Sequence, residues 1–385
     1  MTLPEGYFSK NDKRVCKLNK SLYGLKQAPR QRNEKLNSAL VEHGFKQSTC
    51  DYSLYVKSSD NVFIAILVYV NDNVVTGNNL NEIEKFKLFL KSKFQIKDLG
   101  KLKYFFGIEI LNNEKGICMN QRKYCLDLLS DYGMLGCKPA NTPIESNLCV
   151  SCDPSEKDPL LSNITEYQKL IGRLIYLTLT RPDISYAVQV LSQFMHAPLQ
   201  SHLNLAFRVL RYLKCAPGKG IQFVKGIDLD VYAYCDVDWG KCKVMRNSVS
   251  GYLVYFCGSL ISWKSKKPDI VARSSTEAEY KAMAAAACEI VWIKNLLQEL
   301  NANLKLPINL FCDNNSAIQI AANPVFHERT KHFKIDIHFI RQKVSIGLIK
   351  IVKVPSVLQY TDILTKGLSV TQHGFLSSKL GLYDM

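Results

Sequence analysis

The sequence predicts a multidomain chain of the α+β or α/β class that closes on a mixed sheet flanked by helices. Three observations predict it. The chain has 385 residues, whereas ordinary domains run to about 100–200. Its first and last parts carry apolar runs of strand length bounded by turn residues. Its middle carries apolar residues at helical spacing, punctuated by proline. Hydrophobic residues make up 47% of the chain, enough to bury real cores. The expected regions are residues 1–110, 111–225 and 226–385.

In the first region a helical stretch runs from Gln27 to Leu40. Asp51–Val56 and Val62–Val70 predict strands, joined by a turn at Ser58–Asn61. Residues 67–77 read LVYVNDNVVTG, a strand that turns and returns. A hairpin with acids at its tip is how many polymerases hold catalytic metals, and that task asks for two adjacent carboxylates. Here the pair is Asn71 and Asp72, an amide beside an acid. Glu82–Phe94 predicts a helix with Ile83, Phe86, Leu88 and Phe89 on its apolar face.

The second region is predicted to be mostly helical. Thr165-Glu166-Tyr167-Gln168 has capping-box spacing ahead of a periodic run, Leu170 to Leu179. Pro182 ends that helix, and Asp183 is expected to cap a second one with Ile184, Val188, Leu191 and Met195 on one face. A third runs from His202 to Lys214 and stops before Pro217-Gly218. The polar stretch 139–163 is the linker candidate.

The third region begins with strands. Leu229–Cys235, Val249–Phe256 and Leu260–Lys264 predict three antiparallel strands. A long helix opens at Ser274 or Thr276 and runs through Leu300. Strands at Asn309–Cys312 and Ile346–Val354 and a final helix at Gln359–Lys366 complete a mixed sheet with helices on it. Four acids stand near the ends of these elements: Asp236 in AYCDVDW, Glu279 in SSTEAEYKAMA, Asp313 in LFCDNNSA and Asp362 in QYTDILTK. Carboxylates converging on one point repel one another and call for divalent cations. Hard oxygen ligands select Mg²⁺ or Mn²⁺. Two such ions about 3.5–4 Å apart activate a water and stabilise the leaving oxygen of a phosphodiester. Spacing alone leaves another reading open, since an aspartate at a strand end also serves turns and caps. Asp238 and Asp336 are rival acids, and Glu277 suits the positive end of a helix dipole.

The balance of charge is +16, with 50 Lys+Arg against 34 Asp+Glu. Such a surplus favours a polyanionic partner, nucleic acid first, although it also serves general solubility. Thirteen cysteines are scattered without a framework spacing, and the start, MTLPEGYFSK, is polar. A reduced intracellular compartment, cytoplasmic or nuclear, is the expectation. No apolar run approaches the ~20 residues of a membrane helix, so no membrane partner is expected. Cys149-Val-Ser-Cys152 has metal-ligand spacing but no second pair, and reads as incidental. Trp239, Trp263 and Trp292 are expected in the core.

A series of motifs, in order, carries a resemblance. They are VCKLNKSLYGLKQAPRQ, LVYVNDNVVTG, FQIKDLGKLKYFFGIEI, CKPANTP, YLTLTRPDISYAVQVLSQFM, LRYLK, YCDVDWG, SVSGY, SSTEAEY, DNNSAI, NPVFHERTKHFKIDIHF and DILTKGL. Together the chain resembles the reverse transcriptase and RNase H part of a copia-type retrotransposon Pol polyprotein. The resemblance implies a partial reverse-transcriptase palm, a helical thumb or connection region, and an RNase H-like domain, in that order. SLYGLKQAPR resembles the family's template and nucleotide-contact motif, with Tyr23, Gly24, Gln27 and Pro29 in place and Arg32 where an aromatic usually follows. YVND resembles the YVDD box, with Asn71 replacing its first aspartate and Asp72 keeping the second. The third polymerase carboxylate is expected upstream of this chain's start, and KLGLYDM resembles the family's natural end.

The resemblance implies that polymerase chemistry is lost while Asp236, Glu279, Asp313 and Asp362 match the four metal-site acids of the RNase H. The implied partners are an RNA–DNA hybrid or a primer–template, and the implied cofactor is Mg²⁺ or Mn²⁺, two ions in the RNase H-like site. The oligomeric state is not implied. The family's setting implies cytoplasmic virus-like particles, with the nucleus as the alternative. Tyr69 is a candidate for stacking on a base, with packing as the competing role. Ser248, Ser250, Asn314 and Asn315 are candidates for polar contacts to the hybrid, and equally for turns and caps. Arg329 and Lys331, with His327 and His332, are candidates for phosphate contact or a solvated helix face. Three functions remain in view: an RNase H beside a dead polymerase, a relic that binds nucleic acid without cutting, and an inert remnant.

Overall fold

The computed structural model describes residues 15, 17–19, 22, 24–59, 61–70, 72–146, 148, 150–226, 228–240, 248–268, 271–323 and 334–384. The chain divides into two compact units, Met1–Gly100 and Lys101–Met385.

In the first unit, α1 (Ala28–Glu42) starts with Pro29 in its first turn, where a missing N–H costs nothing. Four antiparallel strands follow in spatial order: β1 (Lys46–Gln47), β2 (Leu54–Ser59), β3 (Val62–Tyr69) and β4 (Asp72–Gly77). Helix α2 (Leu80–Lys93) is capped by Asn79, whose side chain accepts from the Glu82 N–H at 3.2 Å. Its Ile83, Phe86 and Leu90 pack on Ile64 and Ile66 of β3, with Leu40, Phe45 and Tyr55 completing the core.

The second unit holds two sheets. The first contains β5 (Tyr104–Phe105), β6 (Ile108–Asn113), β7 (Gly116–Asn120) and, after four helices, β8 (Lys219–Val224). This sheet departs from the mostly helical expectation. Its central pairing, Cys118 with Gln222, joins residues more than a hundred apart in sequence, so local patterning carries little trace of it. The helices are α3 (Arg122–Asp131), α4 (Ile164–Leu177), α5 (Ser185–Ser192) and α6 (Gln200–Cys215), packed through Leu128, Leu170, Leu174, Leu191 and Leu210. The cap of α4 is Asn163, which accepts from the Glu166 N–H at 3.1 Å, rather than Thr165. Asp183 does not cap a helix either. It is buried in a short 3₁₀ turn, Pro182–Ile184, where Arg181 donates to both its oxygens at 2.9 and 2.8 Å and the Tyr212 hydroxyl donates at 2.6 Å.

The second sheet follows the predicted order. β9 (Val231–Asp238), β10 (Val249–Phe256) and β11 (Ser259–Lys266) are antiparallel, and β12 (Ile308–Cys312) and β13 (Ile349–Lys353) run parallel to β9 on its other side. Alternation along β9 sorts its side chains between two cores. Val231, Ala233, Cys235 and Val237 meet α7 (Ser275–Glu299), α8 (Asn315–Ala322) and α9 (Lys334–Ser345). Tyr232 and Tyr234 meet α10 (Asp362–Thr365) and α11 (Val370–Lys379). The expected final helix is thus a single turn followed by a second helix, and β14 (Leu382–Asp384) then pairs with β8. None of the three tryptophans expected in the core is fully buried: Trp263 is partly buried against one core, Trp239 is 49% exposed and Trp292 is 42% exposed.

Candidate functional site

The hairpin of the first unit pairs Tyr69 with Asp72 across its closing end. Tyr69 is half exposed and Asp72 is exposed. Val70 turns the chain at φ 43°, a left-handed conformation that a β-branched residue rarely takes. The Arg32 guanidinium donates to the Val70 carbonyl at 2.6 Å, so this residue of the SLYGLKQAPR neighbourhood reaches the hairpin tip. Gly24 has φ 90°, Gln27 precedes α1 without a side-chain cap, and Pro29 lies in the first turn. Tyr23 and Asn71 lie outside the described residues, as do Arg329, Lys331, His327, His332 and Cys149.

The second unit brings the four acids of the last region together. Asp236 lies on the central strand β9 and is 1% exposed. Glu279 follows the first turn of α7, whose start is fixed by Ser274 accepting from the Glu277 N–H at 3.1 Å. Asp313 directly follows β12 and accepts from the Ser356 hydroxyl at 3.0 Å. Asp362 opens α10. That turn lies on β10 at Gly251, the residue paired with Asp236. A Cβ at Gly251 would come within 3.0 Å of Thr361 Cγ2 and 3.1 Å of both Leu364 Cβ and Thr365 Cγ2. A glycine opposite Asp236 therefore lets the helix bearing Asp362 settle against the strand.

Charge at this point is poorly compensated. Burial, then repulsion from Asp236, Cys312 and Asp313, raises the Glu279 carboxyl to about 10. Its Oε2 is buried with no hydrogen-bond partner among the described residues. Burial, then Asp236, raises Asp362 to about 7, against the opposing pull of Lys366. The Lys366 ammonium lies 2.7 Å from Asp362 Oδ1 and 3.2 Å from Asp236 Oδ2. Burial alone lowers the Lys366 pKa, but Asp236 and Asp362 more than reverse this and raise it. The Thr365 hydroxyl donates to Asp236 Oδ2. Ligand atoms of Glu279, Cys312 and Asp313 all lie within 4.8 Å of one another. The Glu279 and Asp313 oxygens of this group, one of them buried without a partner, suit a divalent cation, while the third ligand atom is the Cys312 sulfur.

The other polar candidates have local tasks. The Ser250 hydroxyl donates to the Lys266 carbonyl at 3.2 Å, and Asn314 caps α8 by accepting from the Ala317 N–H at 3.0 Å. Ser248 is buried.

Comparison with known proteins decides the family. The family model for reverse transcriptase (RNA-dependent DNA polymerase) matches residues 1–146. The chain is 44% identical over 383 residues to the retrovirus-related Pol polyprotein from transposon RE1 of Arabidopsis thaliana, covering 99% of this chain and 26% of that protein. It is 34% identical over 292 residues to the putative transposon Ty5-1 protein of Saccharomyces cerevisiae, covering 74% of this chain and 94% of that one. The chain belongs to the copia-type retrotransposon Pol family.

This Pol-family chain spans about a quarter of the length of the Arabidopsis relatives. RNase H1 from the archaeon Halobacterium salinarum aligns with 35% of it and 94% of its own chain, at a TM-score of 0.26 and 16% identity. Among the described residues no helix is long and apolar enough to cross a membrane. Sequence reasoning missed Lys366, Thr365 and Gly251. Lys366 was visible in DILTK, four residues on from Asp362, the spacing at which helical side chains meet. Gly251 gave no signal, because its role depends on a helix more than a hundred residues away.

Proposed function

We propose that this chain cuts the RNA strand of RNA–DNA hybrids at the cluster of Asp236, Glu279, Asp313 and Asp362. The polymerase hairpin, in the same reading, has lost nucleotidyl transfer. The observation that carries the first part is Glu279: a carboxylate oxygen buried without a partner, its pKa raised first by burial and then by Asp236, Cys312 and Asp313. Two divalent ions held there would supply an activated water and stabilise the leaving 3′ oxygen. Asp236, on the central strand, repels both Glu279 and Asp362 more strongly than Asp313 does. Ser356 orients Asp313, and Thr365 orients Asp236. Lys366 holds Asp236 and Asp362 together when no other cation does. For the hairpin, Asn71 offers one neutral oxygen where the family's YVDD box places a charge, and that charge offsets the desolvation of a cation.

The test is a labelled RNA–DNA hybrid incubated with the chain and its Asp236→Asn variant in Mg²⁺ and in Mn²⁺. RNA cutting that disappears in the variant supports the reading. A folded chain that leaves the RNA intact under both metals overturns it. Primer extension by the chain would refute the loss of polymerase chemistry. A second reading, binding without cutting, draws on the +16 charge and on Lys366 already paired with two of the acids. Hybrid retention without cleavage in the same assay would favour it.

A further inference from the structure

Trp239 stands one residue beyond β9 and three residues on from Asp236. Its indole N–H donates to the Ala272 carbonyl at 3.2 Å. Ala272 lies two residues before Ser274, the cap of the helix that carries Glu279. The ring is therefore tied by its edge between the strand bearing one acid and the helix bearing another. Even so, 49% of the residue remains exposed. An indole whose one donor is engaged, and whose remaining exposed surface is mainly apolar, is held toward solvent three residues beyond Asp236. Arg273, the next residue after Ala272, is exposed as well. An exposed aromatic ring tied to a segment that also carries an exposed arginine matches what a nucleic-acid strand offers, a base to stack and a phosphate to pair. A mere clamp between β9 and α7 needs the N–H bond but not the open face.

We propose that Trp239 is a substrate-contact residue, its exposed face stacking on a base of the nucleic acid brought to the carboxylate cluster, with Arg273 at a neighbouring phosphate. This rests on the reading of the cluster as a site that receives RNA–DNA hybrid. The test uses the full chain in EDTA, so that binding is read without cutting. A short RNA–DNA hybrid is titrated into wild type, Trp239→Phe and Trp239→Ala, following tryptophan emission and, separately, the anisotropy of a labelled hybrid. The expected result is quenching in wild type that is largely lost in both variants. The affinity should fall by about tenfold in Trp239→Ala. Trp239→Phe, which keeps a stacking face but loses the N–H, should fall by less than about threefold.

Equal weakening in the two variants would assign the effect to the lost N–H and overturn the proposal. So would unchanged affinity with wild-type quenching retained in Trp239→Phe. Circular dichroism confirms that the variants compared are folded, and the phenylalanine variant carries the test if the alanine one does not fold. A wild-type chain that binds no hybrid overturns both this inference and the reading it rests on. Hybrid binding that is indifferent to Trp239 overturns this inference alone.

Discussion

The two acidic sites of this chain are built in opposite ways. At the hairpin of the first unit, Asp72 is exposed at the end of a two-strand turn beside an amide. At the cluster of the second unit, Asp236, Glu279 and Asp362 are each less than a tenth exposed and come from three different elements. Water satisfies an exposed carboxylate at little cost. A buried group of carboxylates has no such recourse, and either takes up protons or recruits cations. Here Glu279 and Asp362 show the first response, and Lys366 is a partial case of the second. The difference teaches that the demand for a metal is made by burial from several directions, and the acidic residue itself is the lesser part of it.

The same contrast holds for ion pairs, and breaking them gives the largest expected effect. In the second unit Arg181 and Asp183 form a bidentate pair, both side chains almost wholly buried. Arg181→Met leaves the Asp183 charge without its partner and should cost about 3–5 kcal/mol. In the first unit the Lys93–Glu42 pair, at 3.3 Å, is exposed on both sides. Glu42→Gln should cost less than about 0.5 kcal/mol. Urea titrations of the two variants measure both values. Similar costs for the two would remove the distinction drawn here.

Next comes Glu279→Gln, which keeps the shape of the side chain and removes the carboxyl that would have to ionise to hold a cation. RNA cutting should drop by more than about a hundredfold, since loss of a ligand exceeds loss of a ligand's hydrogen-bond partner. The metal-free protein should at the same time gain about 1–3 kcal/mol at pH above neutral, because the amide carries no cost of keeping a buried carboxyl protonated where the unfolded chain has lost that proton. Activity and melting temperature moving in opposite directions is the signature. A variant that loses both would point to a structural role for Glu279.

The pH dependence sharpens this further. Between 4.5 and about 10, folded Glu279 keeps a proton that the unfolded chain has lost. Asp362 does the same between 3.8 and about 7. The folded state thus binds more protons than the unfolded one, and these groups make stability fall as pH rises through those windows. Melts in EDTA should show that decline from acid to neutral pH. Added Mn²⁺, which needs ionised ligands, should reverse it and bind more tightly as pH rises. Lys366→Gln removes a competing positive charge 2.7 Å from Asp362. It should tighten Mn²⁺ binding by about tenfold, read by calorimetry. Weaker binding would mean that the lysine assembles the site more than it opposes the metal.

Much of this second sheet was legible in the sequence, and the reason is local. Alternating runs such as Val249–Phe256 and the capped helix after Ser274 each state their own structure. The four acids were legible because each sits at or near the end of an element recognised from its own residues. What stayed hidden depends on distant partners. The β7–β8 pairing, the short turn that carries Asp362 and the clearance at Gly251 are set by contacts across the fold. Asp183 misled because an aspartate after proline is a common helix start, while here the neighbouring arginine is buried with it and claims both oxygens.

The smallest effect concerns the hairpin itself. Val70 is held at φ 43°, and the residue is 67% exposed. Left-handed backbone brings a β-branched Cβ against its own carbonyl, at a cost of about 1–2 kcal/mol. Packing gives little in return at that exposure. Val70→Gly removes the clash but adds freedom to the unfolded chain, an opposing term of about 0.5–1 kcal/mol. The net expectation is a gain of up to about 1 kcal/mol, read from chemical denaturation. Val70→Asn should gain comparably, because asparagine tolerates this conformation without glycine's entropy. The Arg32 bond goes to the Val70 carbonyl and survives both changes. Destabilisation by both variants would show that the valine side chain has a partner at the tip, and the hairpin would then be a built site like the cluster. A gain would mark it as a turn that nothing now holds to a demanding geometry.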